Sequence, residues 1–259
     1  MLSDSNARLA AARRLTRRQG RRDAGLFLAE GAQAVLEAIN RPHAVVEVFA
    51  TAAALERYGN QLAGLRVDEV SEASVARLSE TVTPQGLVAV CRRVDVPLED
   101  ALGRRPRLVA VLVEPNEPGN VGAIVRTADA AGADAVVVAG GVDVYNGKAV
   151  RASAGSLFHV PLVVDVDAAD VVAAGHRAEL SVLATTGAGG HDLDDLIDQG
   201  RLTRPTMWLF GTEAHGLPEP IIDAAEAAVR VPIHGRAESL NVAAAAAVCL
   251  YASARAQRR

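Results

Sequence analysis

The chain has 259 residues, half of them hydrophobic and 22% charged, enough for one large or two ordinary domains with a buried core. That composition excludes disordered, collagen-like and fibrous chains. No apolar run reaches the ~20 residues a membrane-crossing helix needs, and the N-terminal MLSDSNARLAAARRLTRRQ carries arginines where a secretory leader places its apolar stretch, so a cytoplasmic protein is expected.

Taken in chain order, residues 1 to 22 form a basic arm. Arg8, Arg13, Arg14, Arg17, Arg18, Arg21 and Arg22 stand against Asp4 alone, a net charge of +6 in a chain whose formal charge is -4. Lys148 is the only lysine, and arginine is the better bidentate partner for phosphate. Two readings of the arm stay open: contact with RNA or DNA, and a solvated helix face in an arginine-rich chain.

Residues 1 to 96 read as a small α/β unit. The arm reads as an arginine-rich helix, followed by a strand at Leu26 to Ala29, a helix at Ala32 to Ile39, and a strand at Val45 to Ala50. A helical AAALERYG follows, then a short strand near Val67, a helix at Ser71 to Leu78 and a closing strand at Gly86 to Val94. Pro97, Gly103 and Pro106 interrupt the rhythm, so residues 97 to 106 read as a linker.

From Arg107 the strands become longer and apolar throughout: Arg107 to Val113, Ala135 to Ala139, Pro161 to Val166, Leu180 to Thr185, Thr206 to Phe210 and Ala228 to Val231. Strands of this kind belong in a parallel sheet buried on both faces. Helical stretches at Gly122 to Ala131, Ala168 to Arg177, Glu219 to Glu226 and Asn241 to Ala256 lie between or after them. Residues 107 to 259 are therefore expected to form a six-stranded doubly wound α/β domain, with ligands outside the carboxyl ends of the strands. Cys91 and Cys249 each sit inside an apolar run; neither a disulfide framework nor a zinc site is implied, and no metal is expected.

Three segments after strand ends carry more than turn chemistry. The first runs from Glu114 to Gly132, where Gly119 and Gly122 permit a tight entry into a helix, Asn120 can cap it, and Arg126 lies one to two turns inside. It lacks the G-x-G-x-x-G of dinucleotide-binding folds, which disfavours a nucleotide-dependent oxidoreductase. The second is Leu209-Phe-Gly-Thr-Glu213-Ala-His-Gly216-Leu217. The third runs from Val231 through Pro232, Ser239, Leu240 and Asn241 into an alanine-rich helix.

In this order the segments resemble the three signature motifs of the SpoU (TrmH-like) RNA ribose 2'-O-methyltransferases: N-x-G-A-x-x-R-T, L-x-G-x-E-x-x-G-L and S-L-N-V-x-x-A. The match spans residues 107 to 256 and includes Ser153-Ala-Gly155-Ser; Ile233 departs from the methionine usual in the family. The N-terminal unit, with Phe27-Leu-Ala-Glu30-Gly31, looks like the ribosomal-protein-like substrate-binding domain of the ribosomal RNA members.

The resemblance implies a trefoil-knotted α/β methyltransferase domain, although chain threading is otherwise rare. It also implies a homodimer packed partly through the C-terminal helix, and S-adenosylmethionine (SAM) as methyl donor bound in the knot. On the same basis the substrate is RNA, with 23S ribosomal RNA favoured and transfer RNA the alternative. A non-catalytic RNA-binding or ribosome-assembly factor of the same fold is the rival of a different class.

Carried over by motif, Arg126 is the catalytic arginine, which the family resemblance implies as the base. A guanidinium with a pKa above ~12 is a weak base, so a clamp for substrate phosphate and a stabiliser of the ribose oxygen is the favoured role, with the proton acceptor left open. Asn120, Glu213, Ser239 and Asn241 occupy the other polar positions. Glu213 is expected to hold Arg126 or Asn120, Asn241 to orient the catalytic loop, and Ser239 to contact substrate or a neighbouring motif. Cofactor contacts are expected at Thr185, Thr186, Gly187, Gly211, Val231 and Leu240.

Overall fold

The computed structural model describes residues 1–259 apart from Asp4, Glu213 and Arg259. Two helices open the chain, α1 (Ala7–Arg14) and α2 (Arg18–Ala24). Asn6 caps α1 by accepting from the Arg8 amide. Leu9, Ala12 and Leu15 turn inward to join Leu28, Phe49, Val75 and Val90 in one apolar cluster. The basic arm is thus a folded layer, and two of its arginines hold it down. Arg8 pairs with Glu47 and Asp68. Arg21, only 4% exposed, donates to Asp143 at 2.7 Å and to the Leu15 carbonyl at 2.9 Å.

There follow β1 (Leu26–Glu30), α3 (Ala32–Asn40), β2 (Val45–Ala50), α4 (Ala52–Tyr58), β3 (Val67–Glu69), α5 (Glu72–Leu78) and β4 (Leu87–Arg92), in the alternation expected. Thr51 and Ser71 cap α4 and α5 by accepting from the amides of Ala54 and Ser74. The strands form a four-stranded sheet in the order β1-β4-β2-β3. In it β4 runs antiparallel to β1 and β2, while β2 and β3 are parallel.

Beyond Val94 the stretch expected to be a linker folds as α6 (Leu98–Leu102). Leu98, Ala101 and Leu102 lie three and four residues apart, present one apolar face, and enter the core of the sheet that follows. Next come β5 (Leu108–Val113), α7 (Pro118–Ala131) and β6 (Ala135–Ala139).

At Val142 the chain leaves this second compact unit. Asp143–His159, with α8 (Gly147–Ala152), packs instead with Met1–Val94, although its place in the sequence puts it among the strands of the second domain. Its side chains explain why. Tyr145 and Phe158 lie against the fully buried Phe27, with ring centroids 4.6 and 5.9 Å away. Arg151 donates to Glu30 at 2.9 Å, and Glu30 also accepts from Ser79 and Thr81. The Tyr145 hydroxyl accepts from the Val94 amide at 2.9 Å.

The chain returns to the second unit with β7 (Leu162–Val164), α9 (Ala168–Arg177), β8 (Ser181–Thr185), β9 (His191–Asp192), α10 (Leu193–Asp198), β10 (Thr206–Phe210), α11 (Glu219–Asp223), β11 (Ala227–Arg230) and α12 (Val242–Gln257). Seven strands, all parallel, run in the order β7-β6-β5-β10-β8-β11-β9. The sheet has one strand more than expected because β9 is two residues long, too short to leave a pattern.

Both faces of the sheet are covered, which is why its strands are apolar throughout. Val109, Val111, Val137, Val182, Met207 and Leu209 share one core with α6, α9 and α11. The alternate residue Trp208, fully buried, donates its indole N–H to Ser253 of α12 at 2.9 Å. Cys91 and Cys249 are buried, unpaired thiols, and burial pushes both up to about 12. They hold their protons at pH 8.5, so the native protein is expected to resist alkylation by iodoacetamide until denaturant unfolds it; mass spectrometry of adducts measures this.

Candidate active site

The carboxyl ends of β8, β10 and β11 surround a cavity of about 600 Å3. Thr185 ends β8 and donates its hydroxyl to the Leu209 carbonyl of β10 at 2.8 Å. Thr186 and Gly187 follow it, Gly211 follows β10, and Val231 follows β11. All four line the cavity with Thr185 and Leu240, so the structure gathers the six residues named above for cofactor contact around one space. Ser239 lines it as well. Thr212, Gly216, Ile233, Val242 and Ala245 add a mixed polar and apolar wall. A concave lining of apolar residues with a few polar groups suits a small molecule of mixed polarity.

Gly211 is required here by packing. A Cβ on it would fall 2.2 to 2.4 Å from the backbone of Gly216 and Leu217. The same loop closes on itself through the Thr212 amide to the Gly216 carbonyl at 3.0 Å and the reverse bond at 2.9 Å, with Gly216 at φ 66°. Gly211→Ala must open this ring. It is expected to weaken cofactor binding at least ~10-fold, the loss of about 1.4 kcal/mol, which calorimetry on the full chain measures. Glu213, expected to hold Arg126 or Asn120, lies in this loop but outside the described residues.

Motifs one and three meet directly. Asn241 caps α12 by accepting from the amides of Ala243 and Ala244, and its side-chain amide donates to the Asn120 side chain at 3.2 Å. Asn120 itself is not the cap of α7 expected from the sequence. Glu117 caps that helix, accepting from the Gly119 amide at 3.1 Å, and Pro118 takes the first helical position. The helix therefore starts four residues earlier than read, and Asn120 sits in its first turn. Asn120 also lines a small cleft with Gly211 and Val242, which brings the three motifs together.

Arg126 is exposed on α7 and makes no ion pair or hydrogen bond among the described residues. It does not line the 600 Å3 cavity. Two lining residues were missed in the sequence, Asp192 and Arg230. Their side chains form a two-point pair with N···O distances of 2.5 and 3.0 Å. The guanidinium holds the Asp192 carboxyl below the usual carboxylate range, and the carboxylate raises Arg230 in turn. They are 38 residues apart, with no spacing that marks them as partners. Of the arm residues named for RNA contact, Arg13, Arg14, Arg17, Arg18 and Arg22 are exposed. Arg8 and Arg21 are consumed by the ion pairs that fix α1 and α2.

A parallel sheet with a glycine-shaped cavity at its carboxyl edge, following a smaller α/β unit, defines a two-unit α/β protein with a small-molecule site. The chain belongs to the SpoU rRNA Methylase family, whose model matches residues 107–251; residues 6–89 match the MRM3-like substrate binding domain. It is 32% identical over 251 residues to the 23S rRNA (guanosine(2553)-2'-O)-methyltransferase RlmP of Bacillus subtilis, covering 96% of each chain. It is 36% identical over 162 residues to the tRNA (guanosine(18)-2'-O)-methyltransferase of Thermus thermophilus, covering 61% of this chain and 80% of that one. The SpoU methyltransferase AviRb from Streptomyces viridochromogenes, solved in complex with the cofactor AdoMet, superposes with a TM-score of 0.83 at 30% identity, covering 98% of this chain and 99% of that one.

Proposed function

We propose that the chain methylates a ribose 2'-hydroxyl of 23S ribosomal RNA, with SAM as donor. The observation that carries this reading is the gathering of Thr185, Thr186, Gly187, Gly211, Val231 and Leu240 on one cavity, together with the Asn241 to Asn120 bond that joins motif three to motif one. The cavity fits SAM in size and lining: its volume lies within the ~300–1,000 Å3 of ligand sites, and Gly187, Gly211 and Gly216 let backbone approach a ligand closely. When bound, SAM supplies a methyl group activated by sulfonium charge.

The chain's own residues supply position and electrostatics. Backbone at Gly211, Val231 and Leu240 holds the donor, and Asn241 fixes the start of α12 against the first turn of α7. Arg126, exposed on α7 with no ion pair among the described residues, is available to bind a substrate phosphate and stabilise the ribose oxygen as its proton passes to solvent water and the oxygen takes the methyl. Ser239 lies on the cavity wall and is assigned a contact with substrate.

A cytoplasmic homodimer with the knotted path of the family completes the reading. Ala244, Val248, Tyr251 and Arg255 form an exposed stripe along α12, largely apolar, with Tyr251 52% and Val248 42% exposed. That stripe is the face on which a second copy is proposed to pack. Ribosomal RNA is preferred over transfer RNA because the chain carries the N-terminal unit matched to a substrate binding domain. Transfer of labelled methyl from SAM to ribosomal RNA, with the modified ribose mapped in cells with and without the gene, tests the proposal. Labelled transfer RNA with unlabelled ribosomal RNA would move it to the second substrate; no transfer to either would leave a non-catalytic RNA-binding factor.

A further inference from the structure

The exposed arginines of the arm do not form a uniform charged surface. An open groove of about 790 Å3 lies between the α1–α2 layer on one side and α5 with the turn after it on the other. Arg13, Arg14 and Arg17 line the first wall and Arg77 the second, with Asp23 and Glu80 the acidic residues among the described lining. Arg18 and Arg22, exposed on the same two helices, do not line it. The groove therefore selects among the arm's arginines and adds one that lies 55 residues beyond Arg22 in the chain.

The walls are fixed. A Cβ on Gly20 would lie 2.1 Å from the Arg14 carbonyl oxygen, so α2 can start this close to the end of α1 only with glycine there. Arg8 and Arg21 lock the same corner from beneath through Glu47, Asp68, Asp143 and the Leu15 carbonyl. No aromatic side chain lines the groove among the described residues. Recognition of splayed single-stranded bases uses aromatic stacking platforms, whereas arginine forks match phosphate oxygens.

We propose that this groove clamps the phosphodiester backbone of a base-paired RNA segment without reading its sequence. The proposal rests on the reading of the chain as an RNA-modifying protein and deepens it: the identity of the target nucleotide is then set at the second unit, and the first supplies grip and register.

Binding of the full chain to two RNA duplexes of about 16 base pairs and unrelated sequence, titrated over a range of salt, tests this. Arg77→Ala is the decisive variant because it lies outside the basic arm. It is expected to weaken binding to both duplexes about equally, by roughly 3- to 10-fold, and to reduce the salt slope by about 0.7–0.9, the release expected for one lost phosphate contact. Arg14→Ala is expected to match it, while Arg18→Ala with Arg22→Ala is expected to cost less than either. Arg77→Lys, which keeps the charge, should preserve the slope and report that the fold is intact. Parent affinity and slope in Arg77→Ala would overturn the groove in favour of a diffuse charged arm, and a loss confined to one duplex would overturn it in favour of base reading. The two layers separate cleanly: arginine-dependent duplex binding without methyl transfer keeps the groove and removes the methyltransferase reading. Methyl transfer with Arg77→Ala binding as the parent does the reverse.

Discussion

Arg126→Ala is expected to lower single-turnover methyl transfer about 100-fold or more while leaving SAM affinity close to the parent's. The scale is that of losing one preorganised electrostatic group aimed at developing negative charge. The separation between turnover and affinity follows from position, since Arg126 stands on the exposed face of α7 and does not line the cavity proposed for the donor. Arg126→Lys should recover little, because a compact ammonium cannot reproduce a planar fork that grips two oxygens. Rapid-quench measurement at saturating RNA, with calorimetry for SAM, distinguishes the outcomes. Parent turnover in Arg126→Ala would remove the residue from the chemistry, and a matching fall in SAM affinity would make it a binding residue instead.

The second large effect concerns stability. Phe27→Ala is expected to cost about 3–5 kcal/mol, the range for emptying a buried aromatic site. Phe27 is completely buried, and its ring lies against both Tyr145 and Phe158. The loss therefore loosens residues on both sides of a long sequence separation. Denaturant unfolding of the variant measures the cost, and proteolysis near Asp143–His159 should accelerate in parallel. A change below about 1 kcal/mol would show that this cluster can collapse around the vacancy. The same contacts bear on a fragment starting at residue 107: it keeps the cavity residues but strips Tyr145, Leu157 and Phe158 of the unit they pack with.

Local patterns carried much of the fold. β2 at Val45–Ala50, β6 at Ala135–Ala139, β10 at Thr206–Phe210 and α9 at Ala168–Arg177 have the limits read from the sequence, because each is a run of uniform periodicity ended by a turn or cap. What escaped was non-local. Nothing near Asp143 signals that it will bind Arg21, 122 residues away. Asn120 looked like a cap because caps are common at such residues, but Pro118 pre-set the helical backbone earlier and moved the cap to Glu117.

The residues proposed for the site were named through the motif resemblance, and Thr185, Thr186, Gly187, Gly211, Val231 and Leu240 do line one cavity; strand ends by themselves indicate only the edge of the sheet at which a ligand sits. The Asp192–Arg230 pair left no mark in the sequence: its partners meet only when β9 aligns beside β11. The arm was legible as charge and as helix, which α1 and α2 are, but not in its contacts: a charge count cannot tell Arg21 in an ion pair from Arg14 on a groove wall.

The division of the first unit between Met1–Val94 and Asp143–His159 also sets a timetable. A ribosome that has just finished Val94 has delivered four strands but not the residues that close over Phe27. The 65 residues from Asp95 to His159 must still be made, which takes roughly 3–13 s at translation rates of about 5–20 residues per second. During that interval the nascent chain displays an uncovered aromatic surface while β5 and β6 emerge with no partner strands on their outer edges. Synonymous changes that slow decoding between codons 95 and 159 should therefore lengthen the exposure and raise the share of the protein captured by chaperones, with no change in the finished molecule.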